Sequence, residues 1–260
     1  SLHKPGLELL YAPRANLTLQ SFYSLGWYNY LDDVARDYLT HDAGLVINWR
    51  NAYVRGLNVM LRDFYSQTAN TSVLENEFIA FSRVQANKVG PTVSYRTGPY
   101  AMEANYEFGF VDYFAQRNQR NDYLTHTARG MFSYQFSKRL IPYVSYEFVN
   151  THMTHSRLGD FDKHNLVVGA RASLDKFLFN FYVGNHRAIS HDDGDSNDGP
   201  AVYLRVDYPY TERLKVYFIG RHEFFQGVRV GGSTETEFVL GGRFLAFPRF
   251  TVDANLDWME

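Results

Sequence analysis

The residues with most chemical potential are charges that recur at every second position of extended stretches. Arg62, Arg83, Glu103, Glu107, Arg129, Glu147, Arg171, Arg205 and Arg221 fall mid-segment on the polar side of such an alternation. Facing rows of cations and carboxylates set up a transverse field and an ion- or sugar-selective constriction. The same rows can instead hydrate a wall and cross-link neighbouring strands as ion pairs. Tyr143, Tyr182, Tyr203 and Tyr217 share the parity. Phenol rings suit stacking on a saccharide, and they also fill space.

Other constellations are weaker. The run from Asp192 to Gly199 places oxygen donors close together, with Asp193, Asp195 and Asn197 as the calcium candidates. It departs from the helix-loop-helix calcium pattern at the glycine position, and Leu204 stands where the closing Glu belongs, so a solvated acidic loop is expected. His152 and His155, and His186 and His191, are the histidine pairs. Residues three apart on a strand point to opposite faces, so His152 and His155 do not converge on a metal. A hydrolase would need a base, an orienter and a nucleophile on adjacent strands, for which His152 with Ser156 and a loop Asp is the available set. The glycines from Gly227 to Gly232 read as a loop, because no helix follows to cap an anion. No cofactor and no metal is expected.

The elements that must position these residues are strands. Leu166, Val168, Ala170, Ala172 and Leu174 alternate with Val167, Gly169, Arg171 and Ser173, and Phe250, Val252, Ala254, Leu256 and Trp258 alternate with Thr251, Asp253, Asn255 and Asp257. This period predicts about fourteen strands, with twelve to sixteen allowed. They lie near residues 6-12, 17-31, 39-50, 57-67, 74-97, 100-114, 123-136, 140-152, 164-174, 177-188, 200-208, 213-225, 234-246 and 249-258. Their connections alternate between tight turns, such as Ser137 to Arg139 and Asp175-Lys176, and longer polar loops, such as Gln116 to Asp122 and Thr154 to Lys163. Short turns on one side and loops on the other describe an up-and-down meander. One short motif recurs: Asp37, Tyr38, Leu39, Thr40 and His41 open one strand, and Asp122, Tyr123, Leu124, Thr125 and His126 open another. No linker or composition shift divides the chain, which reads as one domain over residues 1-260.

Composition narrows the class. The 260 residues include no cysteine, 26 Lys+Arg against 28 Asp+Glu, and 17% aromatics, which excludes a disulfide scaffold, a thiolate nucleophile and a basic field for nucleic acid. The chain opens on no charged-then-apolar signal segment, so for an exported protein the expectation is the mature form. Charges segregate almost completely to one face of the strands, with Asp63, close to a strand end, the exception on the other. A soluble barrel of about fourteen strands would enclose more volume than side chains fill. In a bilayer the apolar face meets lipid and the polar face lines a lumen, so the expected architecture is an all-β transmembrane up-and-down antiparallel β-barrel. Tyr and Trp near strand ends (Trp27, Tyr100, Tyr113, Tyr208, Trp258) suit the two interfaces of a bacterial outer membrane. Both ends of the meander fall on the loop side, which leaves three readings open: twelve strands, sixteen strands, or loop lengths that mislead. The chain closes on Asp257, Trp258, Met259 and Glu260 where such barrels finish on an aromatic, which leaves open whether the termini are trimmed.

The run from Asp122 to His126, followed by Gly130, Tyr134, Phe136, Ser137, Arg139, Val144 and Tyr146, resembles outer-membrane β-barrel porins associated with exopolysaccharide export. In that family a strand opens after an Asp-containing loop, runs to a Ser-Lys/Arg turn and returns on alternate aromatics. The resemblance covers two hairpins and implies passage of a polysaccharide across the outer membrane, with no catalytic residue to match. The functional expectation is a passive channel for hydrophilic solutes or a saccharide chain. Its alternatives are a plugged scaffold of an export or electron-transfer complex, and a hydrolase at the loop rim.

Overall fold

The computed structural model describes residues 2–3, 5–28, 38–73, 79–113, 122–154, 159–192, 194–226, 232–247 and 250–259. Among them every regular element is a strand. In chain order these are β1 (Leu2–His3), β2 (Gly6–Arg14), β3 (Leu17–Tyr28), β4 (Tyr38–Arg50), β5 (Leu57–Val73), β6 (Ile79–Thr97), β7 (Tyr100–Tyr113) and β8 (Tyr123–Tyr134). There follow β9 (Leu140–Met153), β10 (Phe161–Leu174), β11 (Phe177–Ser190), β12 (Ser196–Pro209), β13 (Leu214–Gln226), β14 (Gly232–Phe247) and β15 (Phe250–Met259). From β3 to β15 each strand is hydrogen-bonded to the next in sequence, which is the predicted meander.

β1 and β2 are one strand in two pieces. Both pair with β3 in a single register, Leu2 opposite Tyr28 and Gly6 opposite Ser24. Between them the Pro5 carbonyl accepts from the Leu25 amide at 3.0 Å, so the ladder continues past a residue that has no amide to donate. Counted this way the strands among the described residues number fourteen, within the twelve to sixteen that the alternation allows.

Local chemistry explains the tight turns. Asn51 Oδ1 accepts from the amides of Tyr53 and Val54 at 2.7 and 2.9 Å, closing the β4–β5 connection. Thr211 Oγ1 does the same for Arg213 and Leu214 before β13, and Ser137 Oγ accepts from the Arg139 amide before β9. Asp175 takes φ 52° in the two-residue turn between β10 and β11, a conformation a short polar side chain tolerates.

Among the described residues the largest departures from the expected boundaries are at the end of β5 and the start of β12. β5 runs to Val73, so Asp63 stands well inside the strand and not near its end. The expected start of the next strand at residue 74 lies outside the described residues, and β6 is described from Ile79. β12 begins at Ser196, because its pairing with β11 continues to Ile189 opposite Ser196; Asn197 stands opposite Ala188 and Asp198 opposite Arg187. Part of the expected acidic loop is therefore ladder.

Contacts cluster in two compact units, each drawn from three stretches of chain: residues 1–96, 103–128 and 149–161 in the first, and 97–102, 129–148 and 162–260 in the second. Cross-strand partners share a face, so register assigns each side chain. In the first unit one face carries Thr18, Gln20, Ser24, Asp42, Asn48 and Arg62. Phe22 and Phe64 also lie there, their rings 6.0 Å apart over Gly44, where a Cβ would sit 2.2 Å from the Phe22 ring. The other face is apolar near the turns and becomes polar toward the loops. There Asn87 donates to Asp63 Oδ1 at 2.8 Å and Gln85 donates to Asp112 Oδ2 at 2.8 Å. In the second unit Phe181, Val183, Val202, Leu204, Phe238 and Leu240 share one face, and Asn180, Tyr182, Tyr203, Arg205, Arg221 and Glu237 share the other.

Most large hydrophobic side chains are left exposed. Among the described residues only seven hydrophobics are buried, mostly small or β-branched ones such as Ala188, Ala201 and Val239, whereas forty large hydrophobics are exposed. Leu166, Val168 and Val183 are each more than half exposed. A protein stable in water buries such a face, so this one requires an apolar surrounding.

Candidate functional site

The site is built on the polar face of the second unit. β8, β9, β10 and β11 bring Arg129, Tyr143, Glu147, Arg171 and Tyr182 around one cleft of about 250 Å³, completed by Ser145, Asn165 and Asn180. Five residues singled out from the sequence therefore converge. A second cleft of about 390 Å³ reaches from Arg171 toward the turns, past Lys138, Arg139, Asn180 and Asp207.

The Tyr143 ring is the centre of the cleft. Its hydroxyl donates to Asn180 Oδ1 at 3.2 Å, and the Arg171 guanidinium lies 5.7 Å from its centroid in cation–π geometry. The ring lies over Gly169, which has no Cβ to displace it. Arg129 Nε donates to Ser145 Oγ at 3.3 Å. Neither guanidinium has a carboxylate partner among the described residues, and both are exposed. Two cations, one carboxylate, a phenol face and amide groups form a surface that can hydrogen-bond and stack on a hydroxylated or anionic solute.

The neighbouring residues are paired differently. Tyr182 and Tyr203 stand directly opposite each other with rings stacked at 5.0 Å and 10°. Arg205 holds Asp207 through two hydrogen bonds of 2.8 Å and lies 5.4 Å from the Tyr217 centroid. Arg221 is ion-paired with Glu237. Arg221 thus cross-links β13 to β14, the bland role that the sequence reading left open, and Arg205 is held within β12, while Arg129 and Arg171 stay available.

The first unit places the other candidates apart. Arg62 Nη2 reaches Thr92 Oγ1 at 3.5 Å, and Asn105 donates to the same hydroxyl at 2.8 Å. Glu107 faces Lys88 at 3.5 Å. Glu103 is exposed and has no ion pair among the described residues. The Arg83 side chain lies outside the described residues, as do Asp193, His155 and Ser156.

The remaining histidine and acidic candidates resolve into local pairs. His152 Nδ1 is 2.6 Å from Asp160 Oδ2, and His191 Nε2 is 3.0 Å from Asp162 Oδ2. His186 is buried opposite Gly199. Asp195 accepts the Ser190 amide through its backbone carbonyl at 2.9 Å. Among the described residues no three His, Cys, Asp or Glu side chains gather as a metal site would require.

The sequence reading missed Phe22 and Phe64 on the polar face, and also a third copy of the short motif. Asp160, Phe161, Asp162, Lys163 and His164 repeat its Asp-aromatic-x-x-His frame. Allowing Phe in place of Tyr would have found it.

No protein-family model matches the chain, and no curated protein matches it by sequence. Solved structures do match. The FrpB iron transporter from Neisseria meningitidis superposes with a TM-score of 0.63 at 11% identity, covering 98% of this chain and 51% of that one. The ferric-catecholate import receptor Fiu from E. coli K12 gives 0.58 at 8% identity, with 99% and 57% covered. The siderophore receptor PiuA from Acinetobacter baumannii gives 0.54 at 9% identity, with 98% and 55% covered. The chain spans about half the length of the solved structures it matches. At these identities the likeness is one of fold, and the fold is the up-and-down antiparallel barrel of outer-membrane proteins.

Proposed function

We propose that the chain acts in the bacterial outer membrane as a transport barrel, its apolar face against lipid and its polar face along a water-filled path for hydrophilic solutes, a saccharide chain among them. The observation that carries this reading is the open cleft around Tyr143, where Arg129, Glu147, Arg171 and Tyr182 meet without forming a closed salt-bridge network. The apolar rows support the placement. From Leu166 to Leu174 is eight residue steps, about 26 Å at the rise of a strand. A spanning strand tilted by about 45° needs about 9–11 residues, which a row of this length meets. Transport along such a face needs no covalent step: the fixed charges set which ions enter, and ring faces hold a sugar loosely enough to release it.

A second reading is favoured by the two guanidiniums that lack carboxylate partners among the described residues: the preferred solute is a small anion, held by Arg129 and Arg171 and tuned by Glu147. Both readings are tested by swelling of liposomes containing the folded protein. Swelling in arabinose and glucose that falls with sugar size is expected, and glucuronate entering faster than glucose selects the anion. No swelling with any solute refutes the transport path.

A further inference from the structure

One arrangement occurs three times on the apolar face and has no part in the transport path. The hydroxyl of Tyr23 meets His41 Nδ1 at 2.8 Å, that of Tyr106 meets His126 Nδ1 at 2.7 Å, and that of Tyr146 meets His164 Nδ1 at 2.7 Å. The ring centroids are 6.2 Å apart in all three, with planes inclined by 40°, 39° and 35°. Each histidine is the fourth residue of its strand, β4, β8 or β10, and each tyrosine lies on the strand before it. The three tyrosines are also equally exposed, at 47%, 43% and 45%.

The surrounding sequence is built to fix this geometry. Four residues before each histidine stands an aspartate: Asp37, Asp122 and Asp160. Asp122 Oδ1 accepts from the Tyr113 amide at 2.7 Å and Asp160 Oδ1 from the Met153 amide at 2.9 Å, so each clasps the loop end of its hairpin. Phe108 and Phe148 hold the His126 and His164 rings from one side at 5.1 Å.

The pairing leaves one nitrogen with work to do. A phenol is the stronger donor, so the arrangement that satisfies both groups has Tyr O–H donating to Nδ1, which puts the ring proton on Nε2. Among the described residues no acceptor meets Nε2 of His41, His126 or His164. Toward the turns each histidine is followed on its own face by exposed apolar side chains: Leu45 and Trp49, Phe132 and Tyr134, Leu166 and Val168. Toward the loops the strand ends within three residues. A donor is thus held where an apolar surrounding ends.

We propose that His41, His126 and His164 are headgroup ligands, each donating from Nε2 to a phosphate oxygen of a lipid at the loop-side interface, with Tyr23, Tyr106 and Tyr146 as positioning residues. The proposal rests on the reading that the apolar face meets lipid. Phosphate is favoured over an ester carbonyl because hydrogen bonds to an ionised acceptor are roughly twice as strong.

The test is solid-state NMR of the full chain, labelled with ¹⁵N-histidine and reconstituted in vesicles of phosphatidylcholine and phosphatidylglycerol. Of the nine histidines, the Nε2 signals of these three are expected to be dephased by ³¹P and to vanish in H41Q, H126Q and H164Q respectively. As a measurement on the unaltered chain, transfer to phosphate-free digalactosyl diglyceride vesicles must abolish the dephasing and shift the same three signals. Protein that floats with the vesicles and is folded, yet shows no dephasing at these sites, overturns the headgroup assignment alone. Protein that does not float with vesicles overturns the lipid-facing reading and the proposal with it.

Discussion

Gly169 offers the sharpest test of the cleft's geometry, because the space it leaves open holds the Tyr143 ring. An alanine Cβ there would lie 2.3 Å from the Phe181 carbonyl oxygen and 2.7 and 2.8 Å from Tyr143 Cζ and Oη. The phenol can swing aside, but the carbonyl belongs to the β11 backbone. Carbon–oxygen contacts between strands run at about 3.3–3.6 Å. The β10–β11 ladder must therefore open by about 1 Å at a spacing normally near 4.8 Å. Overpacking of this kind costs about 1–3 kcal/mol, and the usual gain of alanine over glycine returns about 0.5–1 kcal/mol. G169A should thus lose about 1–2 kcal/mol net. Gly130, on the apolar face of β8, is the control: nothing lies within 4 Å of its missing Cβ, so G130A should be neutral or slightly stabilising. Urea unfolding of vesicle-embedded protein, followed by tryptophan fluorescence, measures both. A G169A protein as stable as G130A would refute the close approach of Tyr143 and β11 and the cleft built on it.

Other outcomes follow from the same structure. In the R129A/R171A double variant each lost charge removes about 0.8 kcal/mol of attraction for an anion and the same repulsion for a cation at ~5 Å in a water-like medium, so the anion-to-cation permeability ratio should fall by about 16-fold per charge; a reversal potential that does not move contradicts this. Asp122 is buried and clasps the Tyr113 amide, so D122A should cost about 1.5–3 kcal/mol in the same unfolding assay. Lys88 and Glu107 are an exposed pair at 3.5 Å, and K88A should change stability by less than about 1 kcal/mol. Opening the Tyr182–Tyr203 stack with Y182A should weaken current block by maltose, read from the concentration needed for half block; an unchanged half-block concentration would show that the rings only fill space.

Strand positions were legible because a half-exposed strand writes its two environments into sequence with period two. The rows Leu166 to Leu174 and Arg171 with Ser173 place β10 and its polar face without any structure, and Tyr143, Tyr182, Tyr203 and Tyr217 fall on the face their parity predicts. What the period cannot carry is partnership. That Arg205 is held by Asp207 on its own strand, that Arg221 takes Glu237, and that Arg129 and Arg171 take no carboxylate among the described residues depend on register and rotamer. Phe22 and Phe64 break the polar parity because Gly44 between them leaves a hollow to fill, a relation visible only across three strands. The ends of β5 and β12 were misjudged because their polar residues look like loop, whereas the ladder continues through them. The resemblance to exopolysaccharide porins rests on two hairpins, and any antiparallel hairpin with an Asp clasp and a Ser-capped turn shares much of that rhythm.

The most direct test of the transport reading is single-channel recording of the purified, folded protein in planar bilayers under a salt gradient. A steady open current with a reversal potential displaced toward that of the anion is expected. Bilayers that stay silent after insertion of protein shown to be folded by its heat-modifiable migration would contradict it.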